Sequence, residues 1–157
     1  MRRLLLVALG TLLVGQALVA PVSAGGGHSV TFVLSGQVTG VERQWTTVEE
    51  DGSVVMHFRG TTILGTVSGD LVGAASVYSA SDIDAITGRG RHRGFLAITT
   101  PEGGFEGRFR GSTTESVHLE GLWVAHGTGA YAGMRLRAQY VGDFYLFGSL
   151  VFTGTVT

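Results

Sequence analysis

From residue 29 onward, apolar and polar residues alternate over short runs separated by glycine-rich turns. In SVTFVLSGQVTG, residues 29–40, Val30, Phe32, Leu34 and Val38 fall on one face. Ser29, Thr31, Ser35, Gln37 and Thr39 fall on the other. A period of two is that of a strand buried on one side. No window sustains a helical period, and the chain has only two prolines, Pro21 and Pro101. The pattern predicts an all-β fold, either a sandwich or a barrel.

Turn chemistry divides the runs. Asp51-Gly52 between QWTTVEE and SVVMHFRG predicts a hairpin with a type I′ turn. Gly69-Asp70 interrupts the next long run by a break or a bulge. Pro101 followed by Gly103 and Gly104 predicts another hairpin. Residues 79–93, SASDIDAITGRGRHR, form the longest polar stretch without a period and read as a mobile loop. The last two strands are expected to join at Gly142-Asp143. The count is eight to nine strands, enough to close a barrel.

The final run is apolar on both faces. Phe144, Leu146, Leu150 and Phe152 point one way, and Tyr145, Phe147 and Val151 point the other. Such a strand needs cover outside as well as inside, from a homo-oligomer interface or from burial within a sandwich.

The first residues differ in kind. Arg2 and Arg3 precede an apolar run at 4–20, and Val22-Ser23-Ala24 closes it as a small-x-small cleavage site, so residues 1–24 read as a signal peptide. The run is 17 residues long and holds Gly10, Gly15 and Gln16, fewer apolar positions than the roughly 20 of a membrane span. The expectation is a secreted or extracytoplasmic protein with no membrane span after cleavage, and residues 25–157 forming a single β-barrel domain.

Composition narrows the chemistry. There is no cysteine, which excludes disulfides, thiol catalysis and cysteine-ligated zinc. Removing Arg2 and Arg3 leaves nine arginines against twelve acidic residues, a net charge of −3, which argues against nucleic acid or an anionic membrane as partner. The one basic cluster, GRGRHRG at 88–94, fits either an anionic partner or a solvated loop offset by Asp82 and Asp84. No motif calls for a cofactor.

His118, Glu120 and His126 share one strand face. At a rise of about 3.4 Å per residue the two histidines stand roughly 27 Å apart, too far for co-ligands. His118 and Glu120 could take a metal only if His57 or His92 completed the site; otherwise they pair across strands with Arg108 or Arg110. His118, Glu120 and Arg110 become a candidate acid, base and anion partner only if their face is the lumen. Parity opposes this. Phe105, Gly107, Phe109 and Gly111 alternate with Glu106, Arg108 and Arg110, and Leu119, Gly121 and Trp123 continue the pattern. Aromatics interleaved with glycine suit a tapered lumen, so Phe105, Phe109, Leu119 and Trp123 are expected to line it and any ligand within it.

In HGTGAYAGMRLRA, residues 126–138, the glycines lie between two strands, and residues 135–140 alternate with period two. A dinucleotide site would need a helix there. A tight turn does not, and Tyr131 is expected to pack back on the barrel end. Gly127, Thr128, Gly129, Tyr131 and Arg135 together resemble the G-T-G-x-aromatic-x-x-x-R turn of allene oxide cyclase-like and dirigent-like barrels and their bacterial relatives. Leu136 stands where those families usually carry glycine. The resemblance implies an antiparallel eight-stranded closed barrel, often trimeric, with an apolar lumen that in some members holds a small hydrophobic molecule. On that reading the protein binds such a molecule, with an isomerase-like, cyclase-like or dirigent-like role exerted by lumen shape; the alternative is a non-catalytic exported interaction protein with a filled barrel.

Overall fold

Eight alternating runs become eight strands: β1 (His28–Val48), β2 (Val54–Gly69), β3 (Gly73–Asp84), β4 (Gly90–Thr99), β5 (Gly103–Thr113), β6 (His118–Gly129), β7 (Arg135–Phe144) and β8 (Phe147–Val156). In the computed structural model, which describes residues 27–114, 118–144 and 147–157, each strand pairs antiparallel with its neighbour in sequence, and β8 returns to β1 to close the barrel. Closure leaves no free sheet edge along the paired length. Residues 1–26, where the signal peptide is expected, residues 115–117, Tyr145, Leu146 and the side chains of Phe144 and Phe147 lie outside the described residues. No helix among the described residues is long and apolar enough to cross a membrane.

The closing seam sets Phe32 opposite Phe152 and Leu34 opposite Leu150. Both pairs face inward, so the first and last strands meet over one core. Phe32 and Phe152 stack at 4.8 Å, and Trp123 meets each of them edge-on at 6.2 and 5.9 Å. Trp123 is fully buried and lies opposite Ala138, a small residue that leaves room for the indole. Phe105, Ala125, Leu136, Ile98, Val67 and Leu71 complete an apolar plug at the end where β1 begins and β8 finishes.

The other end is built differently. β1 and β2 run to 21 and 16 residues, whereas the remaining strands have 10 to 12, so their hairpin rises above the β8 side of the wall, where pairing with β1 ends at Gln37 and Phe147, while β2 stays paired with β3 as far as Val55 and Asp84. Register shifts at Thr39 and Gly60 re-aim the side chains beyond them, and Val41, Gln44, Met56 and Phe58 come to face the lumen.

Four expectations are corrected. Residues 79–93 are not a loop: Ser79 pairs with Gly94, Ser81 with His92 and Ile83 with Gly90, and only 85–89 turn. Ladder hydrogen bonds to strands on both sides override the weak apolar pattern there. The β7–β8 junction lies beyond Phe144 rather than at Gly142-Asp143, because Gly142 pairs with Leu150 and Asp143 with Ser149. The β1–β2 turn has three residues, 50–52, closed by Gly52 N–H donating to Glu49 O and Glu49 N–H donating to Ser53 O, which is a longer connection than a two-residue type I′ turn. The sandwich alternative for the last strand falls, since β8 sits in the barrel wall between β1 and β7.

Candidate functional site

The raised end of the barrel encloses a cavity of about 550 Å³. Its wall is mostly aliphatic and aromatic: Leu34, Val38, Ile63, Val77, Leu96, Leu119 and Leu150, with Met56, Phe58, Phe109 and Phe152. A concave, largely apolar space of this size falls in the range of small-molecule sites.

Two polar side chains meet in that wall. His92, on β4, and Tyr140, on β7, approach from opposite sides of β5 and β6, and the imidazole Nε2 stands 2.6 Å from the phenolic oxygen. Gly111 and Gly121, paired across β5 and β6, make this contact fit. A Cβ on Gly121 would run into the Tyr140 hydroxyl, and one on Gly111 would lie 2.6 Å from that hydroxyl and 2.8 Å from His92 Nε2. Burial pushes the His92 imidazole down to about 4 and the Tyr140 phenol up, so both are neutral near pH 7. With Tyr140 as donor, Nε2 accepts and the ring proton sits on Nδ1. Among the described residues Nδ1 has no partner, and neither has the hydroxyl of Thr113, one inward position along β5 from Gly111. His92 and Thr113 are both buried and both belong to the cavity wall.

The four residues expected to line the lumen all point inward, but they divide between two environments. Phe109 and Leu119 face the cavity. Phe105 and Trp123 do not; they are locked in the plug, Phe105 against Tyr131 at 5.1 Å and Trp123 against Phe32 and Phe152. Parity gave their direction, but how far along the axis the packing extends depends on residues from β1 and β8.

His118, Glu120 and Arg110 lie on the outer face. His118 Nδ1 is 2.7 Å from Asp143 Oδ1, Glu120 accepts from the Ser112 hydroxyl at 3.2 Å, and His126 Nε2 is 3.1 Å from Glu106 Oε1. The expected pairing with Arg108 or Arg110 does not form, because register sets Glu120 opposite Ser112 and Arg110 opposite Leu122. His92 points to the other side of the wall, and His57 lies three strands from β5. Among the described residues no three metal-ligating side chains converge. These outward positions remove His118, Glu120 and Arg110 from the lumen.

The basic run also splits by parity. His92 enters the lumen while Arg91 and Arg93 join Arg110 and Arg137 along a shallow outer groove. Arg93 stands directly opposite Arg110.

A second outer cluster was not legible in the sequence. On the raised hairpin, His57 Nδ1 lies 2.6 Å from Asp82 Oδ1 and its Nε2 lies 2.8 Å from Thr47 Oγ1. Arg59 donates to the same Asp82 oxygen at 2.6 Å. Burial pushes the Asp82 carboxyl up, but the hydrogen bonds from His57 and Arg59 outweigh it and hold the group below its ordinary value. Trp45 stacks on the His57 ring at 4.9 Å, with the Arg43 and Arg59 guanidiniums over its own ring at 5.4 and 5.1 Å. The cluster braces the hairpin that walls one side of the cavity.

The glycine turn closes the plugged end. Gly127 N–H donates to Met134 O, Tyr131 N–H to Thr128 O and Ala132 N–H to Gly129 O, and Gly129 has φ +61, a conformation that favours glycine. β7 begins at once, so there is no helix to hold a pyrophosphate. Arg135 is exposed, with its backbone paired to Thr157, and Leu136 is fully buried in the plug. No family model matches the chain, and no curated protein matches it.

Proposed function

We propose that this protein binds a small apolar molecule in the barrel lumen. The observation that carries the reading is the cavity of about 550 Å³ between the aromatic plug and the raised hairpin, walled by apolar side chains with two polar atoms unpartnered among the described residues. The glycine turn at 127–135, with its likeness to allene oxide cyclase-like and dirigent-like barrels, supports the same reading. The chemistry such a lumen offers a bound molecule is confinement and shape, with a neutral hydrogen-bonding pair deep in its wall and the carboxylate of Asp84 at its rim. A cyclase-like or dirigent-like role would work through the fold imposed on the ligand. The leader-like residues 1–24 support export of the mature chain.

The test is fluorescence titration of residues 25–157 with the uncharged dye N-phenyl-1-naphthylamine. Saturable binding at one dye per chain is expected. Val77→Trp, which fills the cavity, should abolish it, and Leu64→Ser, on the outer face of β2, should leave it unchanged. A dye that binds the Val77→Trp protein as well as the parent would refute the lumen as the site.

One observation favours a further property of the same protein. Val33, Val151 and Val141 form a cross-strand row on the outer face of β1, β8 and β7, and Val141 and Val151 are exposed. We infer that this row forms a homo-oligomer contact. Sedimentation of Val151→Glu beside the parent tests it: equal masses for both would remove the row from any interface.

A further inference from the structure

The charge of the lumen wall limits what can enter it. All nine arginines beyond the leader lie within the described residues, the chain has no lysine, and none of those arginines lines the cavity. Strand parity sends Arg91 and Arg93 out while sending His92 in, and Arg108 and Arg110 out while sending Phe109 in. At the rim, Asp84 is the one carboxylate among the lining residues. Its Oδ1 accepts from the Thr87 N–H at 2.7 Å, the Ile86 N–H at 3.0 Å and the Thr87 hydroxyl at 2.8 Å, and these bonds keep it ionised. An anion would pass a carboxylate and then lose its water without meeting a cation. A cation would fare little better at the deep end, where His92 itself is held uncharged. Two buried polar atoms there lack partners among the described residues, His92 Nδ1 and Thr113 Oγ1, and they sit on adjacent strands at diagonal register, about 7 Å apart along the backbone. Buried polar atoms of this kind are ordinarily satisfied.

The geometry points to an uncharged apolar ligand bearing one hydroxyl or carbonyl oxygen, with that oxygen seated against His92 and Thr113 and the apolar body along Leu34, Val77 and Phe109. The inference rests on the lumen-binding reading and adds the charge and polarity of what is bound. It excludes free fatty acids as preferred ligands, although their chains would suit the walls.

The test displaces bound N-phenyl-1-naphthylamine with three molecules of one chain length, 1-decanol, decanoate and decylammonium, at about pH 8, where the acid is ionised and the amine protonated. Decanol should displace the dye at a concentration at least tenfold below either ion. Thr113→Val should weaken decanol by about three- to tenfold more than it changes the affinity of the dye, which has no oxygen to seat there, as expected for one lost hydrogen bond. Leu119→Arg, or Ser81→Arg if the first does not fold, places a cation in the wall and should reverse the order of decanol and decanoate. If the dye binds but decanoate or decylammonium matches decanol, the charge rule is overturned and lumen binding stands. If Thr113→Val leaves decanol unaffected, the oxygen seat is overturned. If the dye never binds, lumen binding itself fails.

Discussion

His92 Nε2 and the Tyr140 hydroxyl lie 2.6 Å apart although 48 residues separate them, and they meet over two glycines that belong to neither strand. Gly111 and Gly121 face inward on β5 and β6, where any side chain would occupy the space that the phenol takes. The hydrogen bond and the glycine pair are therefore one unit of packing. Between them they set where the wall stops being plug and becomes cavity.

This unit predicts energetic coupling. Gly121→Ala should cost about 1–3 kcal/mol, because its methyl collides with the Tyr140 hydroxyl and presses on the backbone carbonyl of Arg110. Placing the same change in a Tyr140→Phe background should cost less, since the hydroxyl is gone. Chemical denaturation of the four proteins measures the cycle. Costs that add within about 0.5 kcal/mol would show that the two sites do not touch.

The buried imidazole predicts an acid-side loss of stability. His92 titrates at about 4 in the folded protein against 6.5 unfolded, so below about pH 6.5 the unfolded chain takes up a proton that the folded chain refuses. Its effect is absent above that pH, grows as pH falls towards 4 and levels off below it. A gap of this size corresponds to roughly 3 kcal/mol at most. His92→Phe should lose this part of the pH dependence, so the difference in urea midpoint between variant and parent should change between pH 7 and 4. Parallel curves would mean that the imidazole protonates freely in place.

Arg93 and Arg110 predict a salt effect of the opposite character. They face each other directly across β4 and β5 on the outer surface, an arrangement of like charges that weakens a sheet. Arg93→Gln should raise stability by about 0.2–1 kcal/mol at low ionic strength. The gain should shrink at about 1 M salt, where charges are screened beyond roughly 3 Å. A gain that persists in salt would point to side-chain packing as its cause.

Much of the barrel could be read from local pattern. Alternation at 29–40 and again at 103–111 gives strands, and glycine or proline at 52, 69, 101–104 and 127–133 separates them. Where local signals were weak the reading failed. Residues 79–93 have too few apolar positions to announce strands, yet 79–84 complete β3 because β2 and β4 supply ladder partners on both sides, and 90–93 begin β4 between β3 and β5. The β7–β8 junction was misplaced for a related reason: Gly142 looks like a turn residue in isolation, yet here it lets two backbones approach closely inside a ladder.

What the sequence determined by itself is the period of two and the direction of its side chains, because the pleat of a strand fixes which neighbours share a face. Phe105, Phe109, Leu119 and Trp123 were bound to point one way and Arg108 and Arg110 the other. Only the tertiary structure decided what each inward residue meets. Trp123 is sealed because Phe32 and Phe152, 120 residues apart, stack beside it, while Phe109 faces open space because two glycines, two bulges and a long hairpin hold the walls apart above it. Burial depends on contacts between strands remote in sequence, and no local period can encode how far along the axis those contacts fill the barrel.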